Sequence, residues 1–161
     1  MTLHMVEFTP VAPDDDEAVA RFNVLRRDAV GMPQPTRQLT PDEEWNSFYT
    51  HHKDAHDYIG AFEDTAIAAA ARVRFIRQGR TADLLSIAVA PELRSRSLGT
   101  QALSQIESTC RQKRMHTLRV TALESAQSFY DNNGYETVGR DHHYVLMRKR
   151  LGISGELLQQ L

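Results

Sequence analysis

The segment from Leu84 to Leu103 constrains the fold of this chain more than any other part of the sequence. Its first residues, Leu84–Ala90, form a largely apolar run that ends at Pro91. From about Ser97 onward, apolar residues recur at the i, i+4 spacing of a helix. A buried strand, a tight loop and a helix in this order predict an α/β arrangement around a central sheet.

The loop between this strand and this helix is predicted to bind an anion. A helix that begins directly after a tight loop presents unpaired backbone N–H groups and a partial positive charge. Arg94 and Arg96 add two full positive charges beside the start of the helix. Because many α/β proteins contain such a loop, the arrangement alone does not identify the anion.

Patterns along the rest of the chain predict the element order β-α-α-β-β-β-α-β-α-β-β, a mixed α/β (α+β) sheet rather than a regular βαβ repeat. The predicted strands are Leu3–Phe8, Tyr58–Glu63, Ile67–Arg77, Ala82–Ala90, Thr117–Thr121, Tyr135–Arg140 and Tyr144–Leu151. The predicted helices follow Asp14 and Thr40, cover Ser97–Arg114, run from Glu124 to Asn133, and include a short tail helix at Ser154–Leu161. No repeat, low-complexity tract or linker divides the sequence, so we expect a single domain over residues 1–161.

Capping and turn residues indicate several element boundaries. The sequence Thr40-Pro41-Asp42-Glu43 is a capping pattern with proline at the first helical position. Gly31 and Gly134 are expected to end the helices that precede them. Gln78-Gly79-Arg80 predicts a hairpin turn, which makes the strands on either side of it antiparallel.

Two side-chain patterns predict how individual elements face the interior. In the second helix, Trp45, Phe48 and Tyr49 are spaced to lie on one face. In the strand Ile67–Arg77, Arg72 is one of two arginines that alternate with apolar residues, which predicts a half-exposed strand with its arginines toward solvent.

The composition argues against several classes of protein. Of the 161 residues, 41% are hydrophobic and 25% charged, the balance of a soluble globular domain. The net charge of -2 and the pI of about 6.4 create no field that attracts nucleic acid or an anionic membrane, so neither partner is expected. The longest apolar stretch, Ala66–Ala71, is far shorter than the roughly 20 residues of a membrane helix. The sequence shows no signal-peptide pattern, so a cytoplasmic location is expected.

The single cysteine, Cys110, is predicted to be a packing residue. With one cysteine no intrachain disulfide can form. Cys110 continues an apolar series at helical spacing with Leu98, Ala102 and Ile106. This pattern favours a buried thiol over the alternative of a catalytic nucleophile.

Five residues of the strand-loop-helix segment resemble motif A of the GNAT superfamily of N-acetyltransferases, which runs V-x-P, two residues, Arg or Gln, then G-x-G-x-G or -A and a later leucine. The matching residues are Val89, Pro91, Arg94, Gly99 and Leu103. Ser95 and Ser97 stand where the family usually has glycine. Serine at a positive φ costs about 1–2 kcal/mol, so we expect weaker coenzyme binding, offset in part by hydroxyl contacts to phosphate.

A second segment, Ala126–Tyr135, resembles the A-x-x-F-Y-x-x-x-G-[FY] segment of the same superfamily. Tyr130 corresponds to the family tyrosine that lies near the coenzyme sulfur and often acts as general acid. The alternative is that Tyr130 packs in the interior with its hydroxyl toward water. Phe129 and Tyr135 are expected in the core. Leu123 occupies a position where the family commonly has asparagine, so that polar contact is not expected.

The resemblance implies an N-acetyltransferase that moves an acetyl group from acetyl-CoA, its co-substrate, to a primary amine, without a metal. It implies a central, mostly antiparallel sheet flanked by helices, in which Leu84–Ala90 splays from Thr117–Thr121 to receive the coenzyme. It also makes a homodimer possible. The coenzyme-binding residues that it implies are Ile87, Ala88, Val89, Arg94, Ser95, Arg96, Ser97, Leu98, Gly99, Thr100 and Phe129.

The general base is the least determined part of this site. A primary amine with a pKa of about 10.4 is only about one part in a thousand neutral at pH 7, so a base is needed. Asp83 is the first candidate, acting through water, because some family members carry a catalytic carboxylate six residues before the motif A valine. The alternative is a solvated carboxylate at a strand end. Ser86 could order a water, and Glu124 is a lesser candidate for the base.

The histidines suggest weaker hypotheses. His51, His52 and His56 lie close together in the sequence, but a metal site would need a third ligand and an apolar surround, so a solvated face is preferred. His142 and His143 fall in the predicted turn before the last strand. In the family this turn borders the acceptor cleft, so these two side chains could contact the substrate.

The identity of the acceptor is not readable from these patterns. The acceptor wall is expected around Arg21–His52, where Asp42, Glu43 and Glu44 could attract a cationic amine or serve only to cap a helix. A catalytically impaired coenzyme-binding or regulatory module is the main alternative function, because two motif glycines are replaced. A Rossmann-type nucleotide-binding domain is disfavoured, since the sequence has no early G-x-G-x-x-G.

Overall fold

The computed structural model describes residues 5–51, 55–62, 67–91, 93 and 98–152, and within them the helices and strands follow the predicted order. The strands are β1 (Met5–Pro10), β2 (His56–Phe62), β3 (Ile67–Ile76), β4 (Thr81–Val89), β5 (Thr117–Leu123), β6 (Glu136–Asp141) and β7 (Tyr144–Arg150). The helices are α1 (Asp16–Ala29), α2 (Pro41–His51), α3 (Leu98–Gln112) and α4 (Gln127–Asn132), the last preceded by a 3-10 turn at Glu124–Ala126.

Most element boundaries lie close to the predicted ones. The helix predicted from Glu124 opens with the 3-10 turn and becomes α-helical only at Gln127. It ends as predicted, because Gly134 follows it with a φ of 90°. The predicted tail helix at Ser154–Leu161 lies outside the described residues. No helix among the described residues is long and apolar enough to span a membrane.

The chain divides into two compact units, and β3, β4 and α3 each contribute residues to both of them. Unit one comprises Met1–Val73 and Ser86–Gln105, and unit two comprises Arg74–Leu85 and Ile106–Leu161. The strands are hydrogen-bonded in the order β1-β2-β3-β4-β5-β7-β6. β2 pairs antiparallel with β1 and β3, β7 pairs antiparallel with β5 and β6, and β4 pairs in parallel with β5. The predicted mixed, mostly antiparallel sheet is confirmed.

The parallel ladder between β4 and β5 is short. It runs from the pair Thr81 and Thr117 to the pair Leu84 and Val120. On its other edge β5 stays paired with β7 as far as Leu123. The splay implied by the family resemblance concerns residues beyond this ladder, and it stays a prediction.

Helices α1 and α2 pack against each other in unit one through buried aromatic rings. Phe22 and Phe48 meet edge to face with their ring centroids 5.6 Å apart. Asp15 accepts a hydrogen bond from the first turn of α1 and caps that helix. Thr40 and Glu43 form the predicted reciprocal capping box of α2, with bonds of 3.0 and 3.2 Å.

Of the three aromatic residues predicted on one face of α2, only Phe48 is buried. Trp45 and Tyr49 are exposed and stack on each other with ring centroids 4.8 Å apart. Glu44 is buried beside Phe48 instead, because it forms an ion pair of 3.3 Å with Arg27 on α1.

A buried ion pair joins β2 and β3 in unit one. The Nε of Arg72 donates to Oδ1 of Asp57 at 2.7 Å, and the strand register places the two residues opposite each other. Both side chains are buried, so the predicted exposure of Arg72 is wrong. The alternation along one strand does not reveal a carboxylate on the neighbouring strand, and this carboxylate is what allows the arginine to be buried.

The strands of unit two have two different faces. Lys149 on β7 reaches Glu107 on α3, so the face of Lys149 is the helix-covered one. Lys149 is paired with Leu118, and successive side chains of a strand point to opposite faces. Arg119, the next residue of β5, and its partner Asp83 on β4 therefore point to the other face. The strand residues that share the helix-covered face are buried: Ala82, Leu84, Leu118, Val120, Val145 and Met147.

Candidate active site

Asp83, the predicted general base, lies in unit two between two arginines. Its Oδ2 accepts a hydrogen bond of 2.9 Å from Nη2 of Arg74, and its Oδ1 accepts one of 2.7 Å from Nε of Arg119. The Asp83 side chain is 14% exposed, whereas the arginines are exposed by 47% and 49%. The carboxylate is therefore the inner member of the group, and the guanidinium groups form its rim.

The two arginines control the protonation of Asp83. Partial burial alone would raise the pKa of this carboxyl, but the hydrogen bonds and charges of Arg119 and Arg74 outweigh it. The pKa of Asp83 consequently lies below its ordinary value. Asp83 is ionised at neutral pH, and its intrinsic basicity is reduced.

A cleft of about 440 Å³ opens over this group on the face of unit two that lies away from α3. Asp83, Arg74 and Arg119 form its charged part. Leu85, Val138 and Leu146 line it as well, and all three are large apolar side chains exposed to solvent. The cleft thus places a net charge of one positive unit beside an apolar wall.

Tyr130, the predicted general acid, is buried in α4 with only 5% of its surface exposed. Its ring packs edge to face against Phe129 and Tyr135, with centroid distances of 5.0 and 5.4 Å. Burial raises the pKa of Tyr130 to about 12. Because of this raised pKa, the phenol is neutral at physiological pH. Among the described residues none makes a hydrogen bond to its hydroxyl, so the protein does not use this donor there.

A buried polar network holds the chain just after α4. The hydroxyl of Tyr135 donates to Oε2 of Glu107 at 2.8 Å, and Nζ of Lys149 donates to Oε1 of the same carboxylate at 3.0 Å. Lys149 also donates to the carbonyl of Asn133 at 3.0 Å. Burial and the Glu107 carboxylate raise the pKa of Tyr135 above its ordinary value. The predicted burial of Tyr135 is confirmed, but its partners Glu107 and Lys149 were not predicted.

The residues assigned to coenzyme binding are only partly described. Ile87, Ala88 and Val89 end β4 in unit one, and Ala88 is buried in that unit's core. In the same unit Leu98, the first residue of α3, is fully buried and packs against Val89 at the end of β4. Gly99 and Thr100 follow in the first turn of α3, and Phe129 is half-buried in α4 of unit two. Four predicted residues lie outside the described ranges: Arg94, Ser95, Arg96 and Ser97.

The other candidates from the sequence are Glu124, Ser86 and the histidines, and none of those that the structure describes lines the cleft over Asp83. Glu124 is exposed, lies 3.7 Å from the guanidinium of Arg140, and donates its backbone N–H to the carbonyl of His143. His142 and His143 form the tight turn between β6 and β7, and His142 has a φ of 55°. Ser86 is half-buried on β4. Of the clustered histidines, His52 lies outside the described part of the chain.

Cys110 is fully buried, as predicted. Burial, reinforced by the nearby charge of Glu107, raises the pKa of its thiol to about 12. A thiol with this pKa is almost wholly protonated at neutral pH, which agrees with a packing role.

The sequence interpretation missed Arg74 and Arg119 as members of the site. A signal for Arg74 existed, because a hairpin turning at Gly79 places residue 74 opposite residue 83. No such signal existed for Arg119, which reaches Asp83 through a parallel pairing across 36 residues of chain.

Comparison with known proteins places the chain in a family. The model of the acetyltransferase (GNAT) family matches residues 11–135. Three solved structures share the fold, at identities too low to transfer a substrate. They are Tetrahymena GCN5 (TM-score 0.71, 13% identity, 92% of this chain and 98% of that chain covered), the ribosomal-protein-S18-alanine N-acetyltransferase of Escherichia coli (0.66, 15%, 96% and 97%) and the PaiA N-acetyltransferase of Thermoplasma acidophilum in complex with coenzyme A (0.63, 19%, 93% and 99%).

No curated protein gives a significant sequence match. The family model nevertheless covers both motif segments on which the sequence resemblance rests, from the strand-loop-helix to Tyr135. The chain belongs to the GNAT acetyltransferase family.

Proposed function

We propose that this protein is an N-acyltransferase that transfers an acetyl group from acetyl-CoA to a primary amine. Family membership supports the reaction class. The observation that carries the assignment to this chain is Tyr130, because its family motif is matched and its buried phenol is neutral with no hydrogen-bond partner among the described residues. Such a group can donate a hydrogen bond to a leaving sulfur.

The reaction that these residues would serve has a simple balance. The amine nitrogen forms a bond to the thioester carbonyl carbon, the C–S bond breaks, and the electron pair leaves with sulfur as a thiolate. The nitrogen loses a proton, and the sulfur gains or shares one. A thiol has an ordinary pKa of about 8.5, so complete transfer from a phenol with a pKa of about 12 is uphill. Tyr130 is therefore assigned as a hydrogen-bond donor that assists thiolate departure.

Asp83 is the proposed acceptor of the amine proton, acting through water. Its ionised carboxylate remains available at neutral pH, and its position in a cleft of substrate size supports this role. The ion pairs with Arg74 and Arg119 weaken it as a base. That weakening is the structural observation that favours the alternative function, a coenzyme-binding module with impaired catalysis.

The test combines turnover with binding. We expect purified protein to release free thiol from acetyl-CoA when amines are added and to bind acetyl-CoA in calorimetry. Tyr130→Phe, which keeps the ring packing, is expected to lower kcat by about 10- to 100-fold, while the KM for acetyl-CoA changes little. Tyr135→Phe, which removes the hydroxyl of the buried tyrosine that packs against Tyr130, is the matched control and should leave kcat near the wild-type value.

Asp83→Asn should lower kcat/KM and leave acetyl-CoA binding intact. If neither Tyr130→Phe nor Asp83→Asn reduces turnover, the assignment of both residues fails. Binding of acetyl-CoA without transfer to any amine would favour the impaired module, and no binding even at millimolar concentration would overturn the proposed function.

A further inference from the structure

We propose that the cleft over Asp83 binds an acceptor whose amine is accompanied by an anionic group and a small apolar portion. The inference rests on the proposed function and names the substrate class. It is drawn from three features of unit two: a net positive charge, uncommitted guanidinium N–H groups and an exposed apolar wall.

The charge of the cleft favours an anion. Arg74 and Arg119 contribute two positive charges, and Asp83 offsets only one of them. The carboxylate is mostly buried, whereas about half of each arginine side chain is exposed. A ligand that enters the cleft therefore meets guanidinium groups at its mouth.

These guanidinium groups retain donors that the protein does not use. A guanidinium has five N–H donors, and Asp83 takes one from Nη2 of Arg74 and one from Nε of Arg119. The described residues supply no other hydrogen-bond acceptor to either group. Since Asp83 holds both side chains in place, their remaining N–H groups are oriented before a ligand arrives. Planar guanidinium groups match the geometry of carboxylate and phosphate oxygens.

The apolar wall defines the rest of the ligand. Leu85, Val138 and Leu146 are exposed on the same cleft, although large apolar side chains gain by being covered. A volume of about 440 Å³ suits a small molecule. At the inner end, Asp83 can accept a hydrogen bond from an ammonium group. Anion, amine and short apolar group together describe an apolar amino acid or a related amino phosphonate.

The activity test compares acceptors that differ only in the anionic group. Leucine is paired with 3-methylbutylamine, and 1-amino-3-methylbutylphosphonate separates phosphonate from carboxylate recognition. Rates are compared per neutral amine, because the anionic group also changes the amine pKa. We expect kcat/KM to be at least 10-fold higher for an anionic acceptor. Equal kcat/KM values for leucine, its phosphonate analogue and 3-methylbutylamine would overturn the proposal.

Arginine variants locate the effect in the cleft. Both Arg74→Gln and Arg119→Gln remove one positive charge. In Arg119→Gln the amide nitrogen stands in the place of the Nε that donates to Asp83, whereas Arg74→Gln loses the bond from Nη2. Each should lower the ratio of kcat/KM for leucine to kcat/KM for 3-methylbutylamine by about 10-fold, because a change in the basicity of Asp83 affects both acceptors alike, whereas the loss of a guanidinium affects only the anionic one. Arg77→Gln, an exposed arginine near the same hairpin but outside the cleft lining, is the matched control. An equal effect of Arg77→Gln would overturn the assignment.

A binding experiment separates this inference from the proposed function. N-acetylleucine and N-(3-methylbutyl)acetamide are titrated into the full chain by calorimetry, without any requirement for turnover. Tighter binding of the acid, lost in Arg119→Gln, supports the cleft as an anion site even if transfer fails. Equal affinity for N-acetylleucine and N-(3-methylbutyl)acetamide contradicts an anion site in the cleft, even if acetyl transfer is observed.

Discussion

Partners that are distant in the sequence determine the pKa of one side chain of this protein and the burial of another. Asp83 has a lowered pKa because Arg74 and Arg119 surround it, and Arg72 is buried because Asp57 lies opposite it on β2. The two arginines of β3 therefore differ sharply: one is in the core of unit one, and the other is half-exposed in unit two. This difference can be measured.

We expect Arg72→Ala to reduce the free energy of unfolding by about 3–5 kcal/mol. The substitution removes the guanidinium that donates to the fully buried Asp57 carboxylate, and breaking a buried ion pair from one side is strongly destabilising. Chemical denaturation monitored by circular dichroism would give the value. Arg74→Ala is the control on the same strand; its arginine is half-exposed and Asp83 keeps Arg119 as a partner, so the loss should be no more than about 1 kcal/mol. Similar losses of unfolding free energy in both variants would contradict a larger contribution of the buried Arg72–Asp57 pair.

Residues whose placement depends on their own segment could be predicted from the sequence. Residues whose placement depends on a contact between two strands could not. Cys110 was placed correctly in the interior because its apolar neighbours recur at helical spacing, and Tyr135 because it belongs to the motif segment Ala126–Tyr135. Arg72 was placed wrongly, and Arg119 was overlooked. In both cases the deciding carboxylate lies on another strand, so no pattern within one element reports it.

At the scale of elements, the helices begin and end where short-range signals place them. The capping box at Thr40 and Glu43 and the left-handed glycine at Gly134 each use residues within a single turn. Their formation needs no tertiary partner, which explains why they were predictable. The side of α2 that is buried was less predictable, because Arg27 on α1 draws Glu44 inward.

Loss of the capping box should destabilise α2 by a measurable amount. In Thr40→Ala the backbone N–H of Glu43 loses its side-chain acceptor, and caps of this kind contribute about 0.5–2 kcal/mol. Thermal unfolding should therefore shift downward by several degrees. Thr36→Ala, an exposed threonine in the loop before α2, is the matched control and should leave the transition unchanged. An unchanged transition in Thr40→Ala would contradict a stabilising role of the cap.

At the scale of the whole molecule, two sequence motifs carry the family resemblance and the family model over residues 11–135 confirms it, whereas the description of the cleft required the fold. The motifs carry the family resemblance, and the fold is shared with a solved structure that is only 13% identical to this chain. The acceptor side depends on which charges and apolar groups the strands bring together. For this reason the sequence predicted acetyl transfer but left the acceptor open.

The protonation states of the two proposed catalytic groups predict the pH dependence of the reaction. The pKa of Asp83 is lowered, so its carboxylate stays ionised as the pH falls until below its ordinary value of about 3.9. The pKa of Tyr130 is raised to about 12, so its phenol stays neutral as the pH rises through the physiological range. Between about pH 5 and pH 10 neither group changes its charge. Any change in kcat/KM attributable to proton loss in this range must then come from the acceptor amine.

We therefore expect log(kcat/KM) to rise with a slope of about one and to level off at the pKa of the acceptor, near 10.4 for a simple primary amine. Profiles measured with two acceptors of different amine pKa should bend at two different pH values, because the bend belongs to the substrate. Asp83→Asn should lower the whole curve without moving either bend. A bend at one shared pH below 8 for both acceptors, abolished by Asp83→Asn, would instead show Asp83 titrating near neutrality, and the arginines could not then hold its pKa low.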